Sequence, residues 1–145
     1  MKNILFISSI VLLSSAVYAQ DPLNGTSWKT IDDQTHEARS IVKFREDKSG
    51  YLTATVQKVL VVDQAEKCTK CTGTFKNKPL VGVTVIRNLR NTGGNEYEGG
   101  TIIDPQTGKS YSLKGKLTNN GTRLDLRGYM GISALGRNQT WYKVS

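Results

Sequence analysis

From Trp28 onward, apolar and polar residues alternate with a period of two rather than 3.6. Val42 and Phe44 alternate with Lys43 and Arg45, and Leu52, Ala54 and Val56 with Thr53, Thr55 and Gln57. Tyr111, Leu113, Gly115 and Leu117 alternate with Ser110, Ser112, Lys114 and Lys116, and Leu124 and Leu126 with Arg123, Asp125 and Arg127. Such alternation turns one strand face to a core and the other to water or a lumen. Turn signals separate the runs at Asp47 to Gly50, Asn91 to Asn95, Asp104 to Gly108, and Asn119-Asn120-Gly121. Asn-Gly between alternating runs marks a hairpin because both residues tolerate positive φ. Eight strands are expected, near 25–30, 39–46, 51–62, 80–89, 96–103, 109–118, 121–129 and 138–144.

No segment after the leader carries a helical pattern. Short successive strands joined by hairpins favour an all-β antiparallel meander, and eight strands suffice to close it into an up-and-down barrel without exposed edges. A β-sandwich shares the same pattern. Closure makes the first and last strands neighbours, so Trp28 and Trp141 could meet or plug one end.

The first residues read as a secretory leader. Met1-Lys2-Asn3 is a short positive region, Ile4 to Val17 is apolar with interspersed serines, and Val17-Tyr18-Ala19 suits cleavage after Ala19. The run falls short of the ~20 apolar residues a spanning helix needs. No cysteine near the cut supports a lipid anchor, and no later segment is long and apolar enough to span a bilayer. Residues 20–145 are therefore expected to form one exported domain, periplasmic or secreted. A chain of 145 residues with 37% apolar and 22% charged side chains excludes a multidomain enzyme, a polytopic membrane protein and a disordered acidic tail.

The charge is +8, and its excess is uneven. Lys67, Lys70, Lys76, Lys78, Arg87 and Arg90 fall in a stretch from Lys67 to Asn95 without any acid. That stretch fits either a solvated basic face or attraction to an anionic envelope surface or ligand. Nucleic acid is not an expected partner of an exported protein.

Cys68 and Cys71 are the two cysteines of the chain. In an oxidising compartment a local disulfide is the default. So small a loop would add less than about 2 kcal/mol, pinning a connection rather than holding a domain. C-x-x-C also occurs in thiol–disulfide catalysts, usually at a helix N-terminus, and Lys67 and Lys70 would favour a thiolate here. Zinc would need more ligands than two cysteines and His36 supply. Asp32, Asp33 and Glu37 are too few for a hard-cation cage. No nucleophile elbow, zincin helix, phosphate loop or dinucleotide fingerprint is present, so no catalytic residue, metal or cofactor is assigned. Sequons at Asn24, Asn120 and Asn138 matter only in a eukaryotic secretory pathway.

The densest cluster is Arg127-Gly128-Tyr129-Met130-Gly131, followed by Gly136-Arg137 and Trp141. Either arginine could stack on Trp28 or Trp141, or face a lumen as counter-charge for an anionic head group. Arg127, Tyr129, Arg137, Trp141 and Trp28 are the candidate ligand-binding residues.

The order of motifs resembles a family of small exported bacterial proteins, domain of unknown function number twenty-one forty-seven. The matching residues run from Gly25 through Trp28-Lys29-Thr30-Ile31-Asp32-Asp33-Gln34-Thr35 to Val42-Lys43-Phe44-Arg45. They continue through Cys68-x-x-Cys71, Gly99-Gly100-x-Ile102-x-Asp104-Pro105-x-Thr107-Gly108-Lys109-x-Tyr111, Arg127-Gly128-Tyr129-x-Gly131, and Gly136-Arg137-x-x-x-Trp141. His36 departs from the glycine expected after Asp-x-x-Thr, which predicts a differently shaped turn. The resemblance implies a lipocalin-like barrel, with Arg137 and then Arg127 as candidates to close one end beside the early tryptophan. It implies no activity.

A non-enzymatic barrel holding a small hydrophobic, amphipathic or anionic ligand is the leading expectation. It requires an open interior: a packed barrel without a cavity of ~300 Å³ would count against a small ligand. A thiol–disulfide protein using Cys68 and Cys71, and an envelope-surface module using residues 67–90, are the alternatives.

Overall fold

A computed structural model describes residues 10–13, 19–61, 67–132 and 134–145. Most of the expected leader, residues 1–9 and 14–18, lies outside the described residues. Eight antiparallel strands follow one another around a closed barrel in chain order: β1 (Ser27–Ile31), β2 (Ala38–Glu46), β3 (Leu52–Val59), β4 (Thr84–Gly93), β5 (Glu96–Ile103), β6 (Ser110–Thr118), β7 (Arg123–Tyr129) and β8 (Gly136–Lys143). β1 meets β8 through Trp28 opposite Lys143 and Lys29 opposite Tyr142, which closes the ring and excludes the sandwich.

The period-two pattern is realised as inside and outside. Val42 and Phe44, Leu52, Ala54 and Val56, Leu113 and Leu117, and Leu124 and Leu126 are all buried in one core. Each of the valine, leucine and phenylalanine side chains removed from water contributes about 1.5–3 kcal/mol, and Ala54 less. The β4–β5 hairpin turns through Gly94 and Asn95, at φ 61° and 63°, the paired left-handed residues that a tight two-residue turn requires.

Two sequence expectations shift. Residues 80–83 were expected to begin β4 but instead form a turn: the Val83 amide donates to the Leu80 carbonyl and the Gly82 amide to the Val56 carbonyl. β4 starts at Thr84 and runs on to Gly93. His36 does adopt the left-handed backbone, at φ 60°, so the turn keeps a shape that glycine would also take.

The two ends of the barrel differ. At one end residues 21–26 lie across the opening, with Leu23 fully buried. Asp21 binds them to three strands: its carboxylate accepts from the Tyr97 hydroxyl at 2.9 Å and the Asn91 side-chain amide at 3.0 Å, while its own amide donates to Glu46 at 2.9 Å. Burial, reinforced by Asp21, pushes the Tyr97 phenol well above its ordinary pKa. At the other end the described parts of four connections, residues 32–37, 60–61 with 67–83, 104–109 and 130–132 with 134–135, surround an opening.

Candidate binding site

The open end leads into a cavity of about 150 Å³. Its wall is mainly apolar, with Val42, Val56, Val85, Leu113, Leu126 and Trp141 deep inside and Leu80 and Val59 nearer the long β3–β4 connection. The volume is half the ~300 Å³ expected from the sequence, which removes a drug-sized ligand, and is similar to cavities that accept benzene. Eight-stranded barrels have interiors that side chains nearly fill. Here Trp28, Phe44 and Tyr97, all fully buried, occupy the plugged half, and the space remains in the open half.

Of the five residues picked from sequence, Trp141 and Arg137 border this cavity. Inward positions of β8 place Arg137, Gln139 and Trp141 on one face, two residues apart. They form a chain of hydrogen bonds. The Trp141 indole donates to Gln139 at 2.9 Å, the Gln139 amide donates to Asp33 at 3.1 Å, and Arg137 grips Asp33 with two bonds of 3.0 and 2.6 Å. The Arg137 hydrogen bond holds the Asp33 carboxyl below its usual range, and Asp33 in turn raises the guanidinium pKa. Arg137 is thereby neutralised by a residue on the β1–β2 turn, 104 positions away.

The other three picks lie elsewhere. Trp28 is buried outside the cavity lining, its indole donating to Thr26 at 2.7 Å. Arg127 and Tyr129 occupy outward positions of β7: Arg127 donates to Asn138 at 2.8 Å, and Tyr129 carries the Lys114 ammonium over its ring at 5.9 Å. Neither borders the cavity.

A residue missed in the sequence does. Arg39 should face outward with Ile41 and Lys43 by strict alternation. Thr30 pairs with Ser40 and Ile31 with Ala38, so Arg39 is the extra residue of a β-bulge. Bulges re-aim a side chain, and half-buried Arg39 lines the rim of the cavity. Among the described residues its guanidinium has no hydrogen-bond or ion-pair partner. Two carboxylates share the rim, and both are turned into their own loops. Asp32 accepts from the Gln34 and Thr35 amides, and Asp104 from the Gln106 amide. The Thr35 amide in particular lowers the Asp32 pKa.

Cys68 and Cys71 form a disulfide, and both residues are buried. Thiol exchange needs an exposed sulfur, so this arrangement suits a structural staple. The bridged loop forms part of the rim: the Cys68 amide donates to the Lys78 carbonyl, Lys67 pairs with Pro79, and Leu80 then enters the cavity wall. Gly108 lies so close that a Cβ there would overlap the Lys70 carbonyl oxygen. No group of metal-binding side chains occurs among the described residues.

The sequence profile of a family described as "Uncharacterized protein conserved in bacteria (DUF2147)" matches residues 26–143. The chain belongs to the DUF2147 family. A solved structure, protein HP1028 from Helicobacter pylori, described as belonging to the lipocalin family, superposes on this DUF2147 chain with a TM-score of 0.72. The superposition spans 88% of this chain and 85% of that one at 21% identity, a likeness of fold. No curated protein sequence matches the chain. Among the described residues no helix is long and apolar enough to cross a membrane.

Proposed function

We propose that this DUF2147 barrel is a non-enzymatic binder of a small amphipathic molecule, with an apolar part in the cavity and a polar or anionic head at Arg39. The observation that carries the reading is a one-ended apolar cavity with an unpartnered guanidinium at its rim. A half-buried guanidinium without an ion-pair partner gains most from a carboxylate or phosphate held by charge-assisted hydrogen bonds. Arg137, already held by Asp33, positions Gln139 and Trp141 rather than the ligand.

The cavity volume sets the ligand class: a ring or a short chain rather than a long-chain lipid. The leader pattern and the disulfide support binding in an exported compartment.

NMR titration with hexanoate and hexanol tests the reading. Both should perturb resonances of Val56, Leu113 and Trp141, with hexanoate roughly tenfold tighter because of one charged hydrogen bond. Val59→Phe, which fills the cavity, should abolish both titrations, and Arg39→Gln should remove only the preference for hexanoate. Failure of both probes to bind the wild-type protein overturns the proposal.

A further inference from the structure

Cations occur on both walls of the barrel, but one wall has almost no acids to balance them. The outer faces of β1 to β4 present Lys29, Lys43, Arg45, Lys58, Arg87 and Arg90. Those strands contain a single carboxylate, Glu46, which accepts the Asp21 amide at the plugged end. Lys67, Lys70, Lys76 and Lys78, all exposed, extend the same side on the β3–β4 connection. The opposite wall, β5 to β8, mixes Lys114, Lys116, Arg123, Arg127, Arg137 and Lys143 with Glu96, Glu98 and Asp125.

Pairing follows the same division. Both ion pairs found among the described residues, Arg123 with Asp125 and Arg137 with Asp33, lie outside β1 to β4. Arg87 and Arg90 instead stack on aromatic rings, 5.6 Å from Phe75 and 4.7 Å from Tyr51. Stacking orients a guanidinium while leaving its N–H edge open to an anion. Glu98 stands opposite Arg90 in the ladder, at the border of the wall, without forming an ion pair.

We infer that the β1–β4 wall is a docking face for an anionic lipid bilayer. β2 and β3, about 4.8 Å apart at the centre of this wall, present Lys43, Arg45 and Lys58 side by side, flanked by the cations of β1 and β4 as the barrel curves away. A bilayer phosphate layer can engage the central side chains directly, and the long flanking Lys and Arg side chains add to the attraction. The cations come from four strands and a loop, so they act as a surface rather than as a continuous basic segment. The wall runs along the barrel, leaving the cavity opening at its end unobstructed.

Vesicle co-sedimentation tests this with the protein and two matched double variants. Arg45→Glu with Lys58→Glu and Lys114→Glu with Lys116→Glu alter net charge equally but on opposite walls. Wild-type protein should sediment with phosphatidylglycerol-containing vesicles and not with phosphatidylcholine vesicles. Binding should be lost between about 0.05 M and about 0.5 M salt. The first double variant should weaken it at least roughly tenfold and the second far less. Thermal melts establish folding, and Arg45→Gln with Lys58→Gln should give a smaller loss of the same kind. Equal losses from both walls, salt-insensitive binding, or soluble polyphosphate binding as tightly as the vesicles would each overturn the inference.

Discussion

The two ends of this barrel are built from similar strands and come to opposite arrangements. At the plugged end the Trp28 indole, the Thr26 hydroxyl and the Tyr97 hydroxyl each have a partner. One carboxylate, Asp21, receives the Tyr97 hydroxyl, the Asn91 amide and the Leu23 amide. At the open end Asp33 plays a comparable organising role for Arg137 and Gln139, yet Arg39 is left without a partner beside an apolar space. A fully satisfied network specifies a closed structure. A cation left unsatisfied at a cavity is where a ligand can complete the set.

This contrast can be broken by mutation at either end. The largest effect is expected from Phe44→Ala, which empties a fully buried site at the plugged end and should cost about 3–5 kcal/mol in chemical denaturation. Val59→Ala, on the cavity wall, should cost about 1 kcal/mol or less, because its methyl groups already border empty space.

Asp21→Ala comes next. It strands a buried phenol, an amide side chain and a backbone N–H, and should destabilise the protein by about 2–3 kcal/mol. Tyr97→Phe should cost about 1 kcal/mol alone and nearly nothing on top of Asp21→Ala. Additive losses in this double-mutant cycle would show that the two groups do not act through one another.

A similarly small effect belongs to the open end and depends on pH. The Asp33 pKa is lower in the folded protein than in the unfolded chain. Its stabilisation is therefore complete above the unfolded value, near 4, and disappears as pH falls through the folded value. For a partly exposed pair this amounts to about 1 kcal/mol. Urea melts from about pH 6 to about pH 2 should show less acid-dependent loss in Asp33→Asn than in the wild type. An unchanged acid slope would mean that the pair contributes no net stability.

The eight strands and their order were legible because each buries one face, and burial of one face forces alternation. The Gly94-Asn95 and Asn119-Asn120-Gly121 turns were legible because few residues tolerate left-handed backbone. Trp141 could be picked out as an aromatic beside glycines. Arg39 could not, since its pattern places it outside and only the bulge against β1 turns it to the rim. The Leu80–Val83 segment looks like a strand because it is apolar, but only Leu80 and Val83 cover the core, from a turn, while Val81 stays exposed.

Residue by residue, then, local chemistry determined the strands, the turns and the candidate bridge between Cys68 and Cys71, all of which depend on neighbours close in the chain. Tertiary structure decided the rest. It brought Asp33 to Arg137 and Asp21 to Tyr97, filled one half of the barrel and left the other open, and gathered the cations of four strands on one wall. The physical reason is closure: rolling a meander into a ring sets register, bulges and end packing through contacts between residues far apart in sequence, which no local pattern records.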